Sequence, residues 1–516
     1  MTIGTPTPAS EVQTAPRAVS RRAAPVVRTA IALLSVQGVT WASSLVGLLL
    51  IPRFLGSQQL GWFASLMAAS ALLNLLIGMG TSRHIIREVA RNPASASQLV
   101  SHAIVARLLP CAVLFAAAVV GLALLRPGNT AAVVVISSIV GMTCGLCLDV
   151  LNSALQGNQT LGRSAAVGAV FGLGGQATVI LVLLMGGRIA AIALVNSLLV
   201  VGVVAVVARI FLGRFSGSWR LSRDGFRSLS MAGVPFLAWD VSLLFYASID
   251  MVLLPLLADA QTTGQYAFAL RLAGIPIFIA TIITASIFPE LSNAAIRDHA
   301  WFKRLLSHGL ILTVAGTVPL AVGMALLAPS IANVIGGGDQ YARSVPLIVI
   351  LSLNLPMVAW DTVMGTAIFA LNRQKKLVYA AVIAAFVNPL INLAAIPFTA
   401  HLWDDGAIGA AVVTVATEIF IGAVIFYIAH DMVQLGRVGA AVLRSLVAAA
   451  GMAVVVLPTA AVVGMFPAVA AGGVTYGVLA VAVGLLPLSQ ITGARALLRS
   501  FRPRPGPSLA ESEQHG

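Results

Sequence analysis

Residues 103–152 read AIVARLLPCAVLFAAAVVGLALLRPGNTAAVVVISSIVGMTCGLCLDVLN. Two apolar blocks, 103–125 and 130–152, are parted only by Arg126, Pro127, Gly128 and Asn129. A bilayer core about 30 Å thick needs roughly 20 residues at helical rise, so each block is long enough to cross it. The same alternation of long apolar blocks and short polar punctuation runs along the whole chain. Further blocks lie near 29–51, 60–80, 165–185, 188–212, 232–258, 263–289, 305–328, 345–370, 378–401, 406–429, 440–464 and 469–488. The pattern predicts an all-α membrane protein of about 14 transmembrane helices. Residues 1–28 and 495–516 are polar and are expected to be cytoplasmic tails, the first of them disordered.

Composition supports this class. Of 516 residues, 59% are hydrophobic and only 9% charged, too few to cover a water-soluble domain of this length. The ten-residue alternating segments of a membrane barrel are absent from the sequence. The net charge of +14 reads as membrane topology rather than nucleic-acid binding, because the basic residues cluster in alternate loops. With fourteen spans, one side carries Arg17, Arg21, Arg22 and Arg28; then Arg83, Arg87 and Arg91; Arg163; Arg214, Arg220, Arg223 and Arg227; Arg297, Lys303 and Arg304; Arg373, Lys375 and Lys376; and Arg437 and the final tail. The other side carries only Arg53, Arg126, Arg188 and Arg343. By the positive-inside rule both termini are expected in the cytoplasm. Cys111, Cys144 and Cys147 fall inside apolar blocks, and the Cys144–Cys147 spacing lacks a second pair or a nearby His to complete a metal site. No cofactor or metal is expected.

Spacing also reveals a repeat. Gly61-Trp62-Phe63 opens one block and Gly264-Gln265-Tyr266 opens another, 203 residues later. The repeat predicts two six-helix lobes, 29–212 and 232–429, followed by two extra helices within 440–488. Six is even, so the lobes would share an orientation and be related by an axis along the membrane normal, with a V-shaped cavity between them.

Several motifs fall in a set order: Ile51-Pro52-Arg53-Phe54-Leu55-Gly56, Leu60-Gly61-Trp62, Gly80-Thr81-Ser82-Arg83, Arg87-Glu88-Val89-Ala90-Arg91, Ser248-Ile249-Asp250, Leu270-Arg271-Leu272 and Phe288-Pro289-Glu290-Leu291-Ser292. In motif order, span number and lobe spacing the chain resembles the polysaccharide transporters, or Wzx-type flippases, of the multidrug/oligosaccharidyl-lipid/polysaccharide exporter superfamily. The resemblance implies a fold that opens to alternate sides. It also implies translocation of a polyprenyl-linked oligosaccharide across the bacterial cytoplasmic membrane. A sister family flips lipid II and has arginines inside its first span. Here that span has Gln37, Trp41, Ser43 and Ser44 instead, which favours another polyprenyl-linked glycan. The alternatives are a lipid II flippase or an ion-coupled small-molecule antiporter; antiporters of the superfamily usually have twelve spans. A membrane glycan polymerase is a further rival, but only Asp404 and Asp405 stand together in an outer loop, so no enzyme is expected.

Ionisable residues within spans need an account, because each is costly there. Asp250 and Arg271 both lie roughly 12 Å from the outer end of adjacent blocks at helical rise. They are expected to pair, with Arg271 receiving a pyrophosphate or an acidic sugar. Arg107 and Asp149 match in depth in the same way and are expected to form a structural ion pair. Asp240 lies on the cytoplasmic half of the block that carries Asp250 and is a candidate for ion coupling. Asp361, Glu418, Asn388 and Asn392 lie deeper and are candidates for coupling to H+ or Na+. Arg83 and Arg87, four apart on one helical face, are candidates to meet an anionic headgroup at the inward mouth. The expected partners are the lipid-linked glycan, membrane lipids, and a glycan polymerase and glycosyltransferases; nucleic acid is not among them.

Overall fold

The computed structural model describes residues 18–126, 128–158, 161–215, 221–371 and 373–485. Among these every regular element is helical, and eleven helices are long and apolar enough to cross a membrane. The other three expected blocks, 29–51, 165–185 and 232–258, lie on helices whose side chains are only partly described. The tail 495–516 and residues 1–17 fall outside the described residues, as do the side chains of Gln37, Trp41, Ser43 and Ser44.

The first helix, α1 (Ala18–Gly78), starts inside the expected tail and carries two expected spans. The polar turn anticipated between them shrinks to one residue. Gly56 alone leaves helical geometry, at φ 73° and ψ 170°, a conformation that costs glycine little and other residues much.

The chain packs as two compact units. The first joins the described residues up to Gly47 with Thr81–Gly233; the second joins Leu48–Gly80 with those from Val234 onward. In the first unit, α2 (Thr81–Arg91), α3 (Ala96–Leu125), α4 (Asn129–Gly157), α5 (Leu161–Leu184) and α6 (Ile189–Leu212) follow α1, and the start of α7 (Arg223–Leu257) closes the unit. Ile85 and Val89 of α2, Val100 of α3, Leu151, Ala154 and Leu155 of α4, and Phe211 of α6 share one buried cluster. Lipid is as apolar as these side chains, so close packing rather than water exclusion holds such helices together. Gly157 shows how: the Ile86 carbonyl oxygen and Val89 lie where its Cβ would be. Large apolar side chains such as Leu124 and Leu125 are left 77% and 82% exposed, as a surface facing lipid requires.

In the second unit the rest of α1 and α7 are joined by α8 (Ala260–Gly274), α9 (Ile277–Arg297), α10 (His299–Leu326), α11 (Ala328–Gly336), α12 (Ser344–Ala370), α13 (Gln374–Trp403), α14 (Gly406–Ala429), α15 (Leu435–Val463) and α16 (Met465–Ala482). The expected block 263–289 is split between α8 and α9. Pro276 has no N–H to donate and stands as the N-cap of α9, so one helix ends and the next begins there. One core joins α9, α10, α12 and α14 around Phe302, Leu306, Val363 and Ile425. A second seats the extra helices: Ala448 and Met452 of α15 and Tyr476 of α16 pack with Val314 of α10, and Tyr476 Oη donates to the Ala315 carbonyl at 2.9 Å.

Candidate functional site

The site begins with two glycines. A Cβ on Gly61 of α1 would overlap the carbonyl oxygen of Ala260, and a Cβ on Gly264 of α8 would overlap that of Ser57. Only glycine lets two backbones approach so closely. The contact is reciprocal: positions 61 and 264, and positions 57 and 260, each differ by 203 residues. The motifs that marked the repeat in the sequence therefore touch one another. Around this crossing, Tyr341 Oη donates to the Pro52 carbonyl at 3.1 Å, and Gln265 Nε2 donates to the Gln340 carbonyl at 2.7 Å. The rings of Phe268 and Tyr341 stack at 4.4 Å. Tyr341 lies outside the spans, and burial pushes its hydroxyl well above the usual phenol range.

Arg271 lies in the last turn of α8, half-buried, with its guanidinium 5.7 Å from the centre of the Phe63 ring. No carboxylate pairs with it among the described residues, and the expected bond to Asp250 does not form. Depth alone was a poor guide. Asp250 takes a bond from the Tyr266 hydroxyl and another from the Met251 N–H at 2.9 Å, and Tyr266 also meets Thr414 Oγ1 at 2.9 Å. Tyr266 and Arg271 are five residues apart, roughly 140° around a helix, so α8 turns Tyr266 towards Asp250 and Arg271 away from it.

The four polar residues considered together for ion coupling fall into two clusters on different faces of α14, about 100° apart. Asp361 of α12 and Glu418 of α14 are both buried, and the Asp361 carboxylate lies against Gly422, where a Cβ would meet its Oδ1 at 3.3 Å. Asn388 and Asn392 instead face Thr417. Asn388 Nδ2 donates to Thr417 Oγ1 at 3.0 Å, and Asn392 Nδ2 donates to Asn388 Oδ1 at 2.7 Å. Asp240 is half-buried on α7.

Two sites belong to the first unit. Arg107 is 2% exposed, and both terminal nitrogens are engaged: Nη1 donates to Asp149 Oδ2 at 2.8 Å and to the Leu146 carbonyl at 2.7 Å, while Nη2 donates to Thr81 at 3.0 Å and Ser82 at 2.8 Å. Matching depth anticipated the Asp149 partner but not the two hydroxyls from α2. Arg83 and Arg87 lie on the exposed face of α2, opposite the buried Thr81, Ile85 and Val89. Arg87 Nη2 reaches His84 Nδ1 at 3.3 Å. Burial, and then the charge of Arg87, pushes the His84 imidazole below its ordinary range, against a smaller opposite pull from Glu88.

Comparison with known proteins gives this arrangement a family. The family described as "Polysaccharide biosynthesis protein" matches residues 26–295, more than half of the chain. The chain belongs to that family. The matched range contains the motifs at Gly61, Arg83 and Arg271. A "Probable flippase AglR" from Haloferax volcanii is 26% identical over 171 residues, 33% of this chain and 35% of that protein. The match thus spans about a third of the relative's length. Among solved structures, the fold is similar to "Lipid II flippase MurJ, inward closed conformation", with a TM-score of 0.69 at 13% identity, covering 88% of this chain and 98% of that one. It is also similar to an inward-facing multidrug resistance MATE family transporter, with a TM-score of 0.53 at 14% identity, covering 78% and 94%. At such identities the likeness is one of fold. Family and fold together make this a multi-pass membrane protein of the polysaccharide biosynthesis family, with a fold similar to that of the flippase and transporter structures named above.

Proposed function

We propose that the chain is a flippase that carries a polyprenyl-pyrophosphate-linked oligosaccharide from the inner to the outer leaflet of the bacterial cytoplasmic membrane, for cell-surface polysaccharide assembly. Arg271 carries this reading. A half-buried guanidinium with an aromatic neighbour and no carboxylate is a site prepared for an anion. Its planar fork matches a pyrophosphate, and it stays charged in an apolar setting. The family description and the flippase name of the archaeal relative support the substrate class.

In this mechanism two lobes, 29–212 and 232–429, rock about the bound headgroup while the polyprenyl tail stays in the bilayer. Arg83 and Arg87 draw the anionic headgroup to the cytoplasmic mouth, and Asp250 shapes the site through Tyr266. H+ or Na+ resets the cycle. The buried acids Asp361 and Glu418 are the carboxylates such a cation would meet in the second lobe. Asp240 and Asn388 are the further coupling candidates. Both termini are cytoplasmic. The lipid-linked glycan comes from glycosyltransferases and passes to a glycan polymerase outside.

The test is reconstitution in liposomes with a fluorescent polyprenyl-pyrophosphate glycan, scored by its exposure to an external quencher, with Arg271→Ala beside the unaltered protein. Equilibration only with the unaltered protein supports the proposal. If neither protein moves the lipid while a small cationic drug crosses, the chain is an antiporter and the proposal fails. Preference for lipid II over other glycans would replace the substrate but keep the mechanism.

A further inference from the structure

At one end of the second unit, α10, α15 and α16 enclose a cavity of about 400 Å3 that the flippase reading leaves unused. Its basic lining is Arg437 and Arg444 of α15, with His308 of α10 beside them, and no lining residue is acidic. Arg437, Ala440, Ala441 and Arg444 follow a spacing of three, one and three residues, so they share one helical face. The two guanidinium stems are two turns apart, about 10 Å along the axis. The alanines between them make room rather than contact.

Neither arginine pairs with a carboxylate among the described residues. Arg437 Nη1 donates to Gln434 Oε1 at 2.9 Å, and Arg444 Nη1 donates to the Gly484 carbonyl at 3.1 Å. Both acceptors are neutral, and each guanidinium has five donors to satisfy. The setting sharpens the demand. Arg444 is exposed, and its neighbours Leu443 and Val447 are exposed as well, at 65% and 54%. Such apolar side chains on a spanning helix face acyl chains. A cation among them needs an anion, and the bilayer surface supplies one as lipid phosphate. The cavity lies between the first half of α10, the first half of α15, and Gly484 and Leu485 just past α16, which places it towards one membrane surface. The distribution of basic residues assigns that surface to the cytoplasm.

We infer that this cavity binds the headgroup of an anionic glycerophospholipid, with its phosphate between Arg437 and Arg444 and its acyl chains along Leu443 and Val447. The inference depends on the chain spanning a bilayer, not on what it transports. Binding is read without transport, so its failure and that of the flippase reading are separable.

The full chain is purified in detergent, and bound lipids are counted by native mass spectrometry after addition of phosphatidylglycerol, phosphatidylcholine or inorganic phosphate. The unaltered protein should hold one more phosphatidylglycerol than Arg437→Gln/Arg444→Gln. Its affinity for that lipid should exceed the variant's by about tenfold or more. Phosphatidylcholine and inorganic phosphate should not occupy the site. Ala440→Phe leaves both charges in place but fills the cavity, and should lose the same lipid. Equal phosphatidylglycerol binding by the unaltered protein and Ala440→Phe overturns the inference even if the double variant does not fold. So does equal binding of phosphatidylcholine, or occupancy by inorganic phosphate, which would make the site one for a soluble anion.

Discussion

Arg107 and Arg271 are both arginines well inside an apolar protein, one in each unit, and their surroundings differ in kind. Arg107 is enclosed and meets a carboxylate, a carbonyl and two hydroxyls. Arg271 is half-buried against a phenyl ring, and no carboxylate pairs with it. The first has exchanged water for protein partners at both terminal nitrogens, so its charge is spent on holding α2, α3 and α4 together. The second keeps donors available. Burial of an arginine thus says little about its role until its partners are counted.

Four measurements can break or sharpen that contrast. Arg107→Ala should cost the most stability, about 2–3 kcal/mol, because Thr81, Ser82 and the Leu146 carbonyl lose a charged partner together. The value is held below that of a fully buried pair because the Asp149 side chain is 53% exposed and water can take over part of it. Thermal unfolding in detergent reads this loss. Next, Tyr266→Phe should lose about 1–2 kcal/mol in the same assay, since it strips the buried Asp250 carboxyl of a hydroxyl donor. Arg271→Ala should cost no more than about 1 kcal/mol, the scale of its ring contact, yet abolish glycan flipping. If it unfolds as readily as Arg107→Ala, the distinction between the two arginines collapses. The smallest effect belongs to His84. Its pKa lies below the ordinary 6.5 in the folded protein, so the unfolded chain takes up the proton first as pH falls. Stability is therefore complete above that pH and declines through the window just below it. His84→Gln should flatten this slope in a pH series of hydrogen exchange on α2.

The span pattern was legible in the sequence because a bilayer imposes one length and one polarity on every crossing segment. Arg107 and Asp149 could be matched by depth because both lie near the same end of neighbouring helices and happen to face one another. For Asp250 the same arithmetic named the wrong partner: depth reports height along a helix and is silent on direction around it. Tyr266, not Arg271, has the right phase. The ion-coupling residues failed to gather for a related reason. Thr417 and Glu418 are adjacent in sequence and so point about 100° apart, one towards Asn388 and the other towards α12. The turn at 52–59 was overestimated because its polar residues hide the fact that one glycine suffices to change the backbone's direction.

The repeat was read from Gly61 and Gly264 as a matter of spacing, without any sign that the two would meet. Their meeting has a consequence for how the protein can change by mutation. When two side chains collide, shortening one can relieve a lengthening of the other. Here the obstacle to any side chain at Gly61 is the Ala260 carbonyl, and at Gly264 the Ser57 carbonyl. A carbonyl is part of every residue and cannot be trimmed. Neither position has a suppressor at the other, so both are closed to drift however freely their neighbours vary.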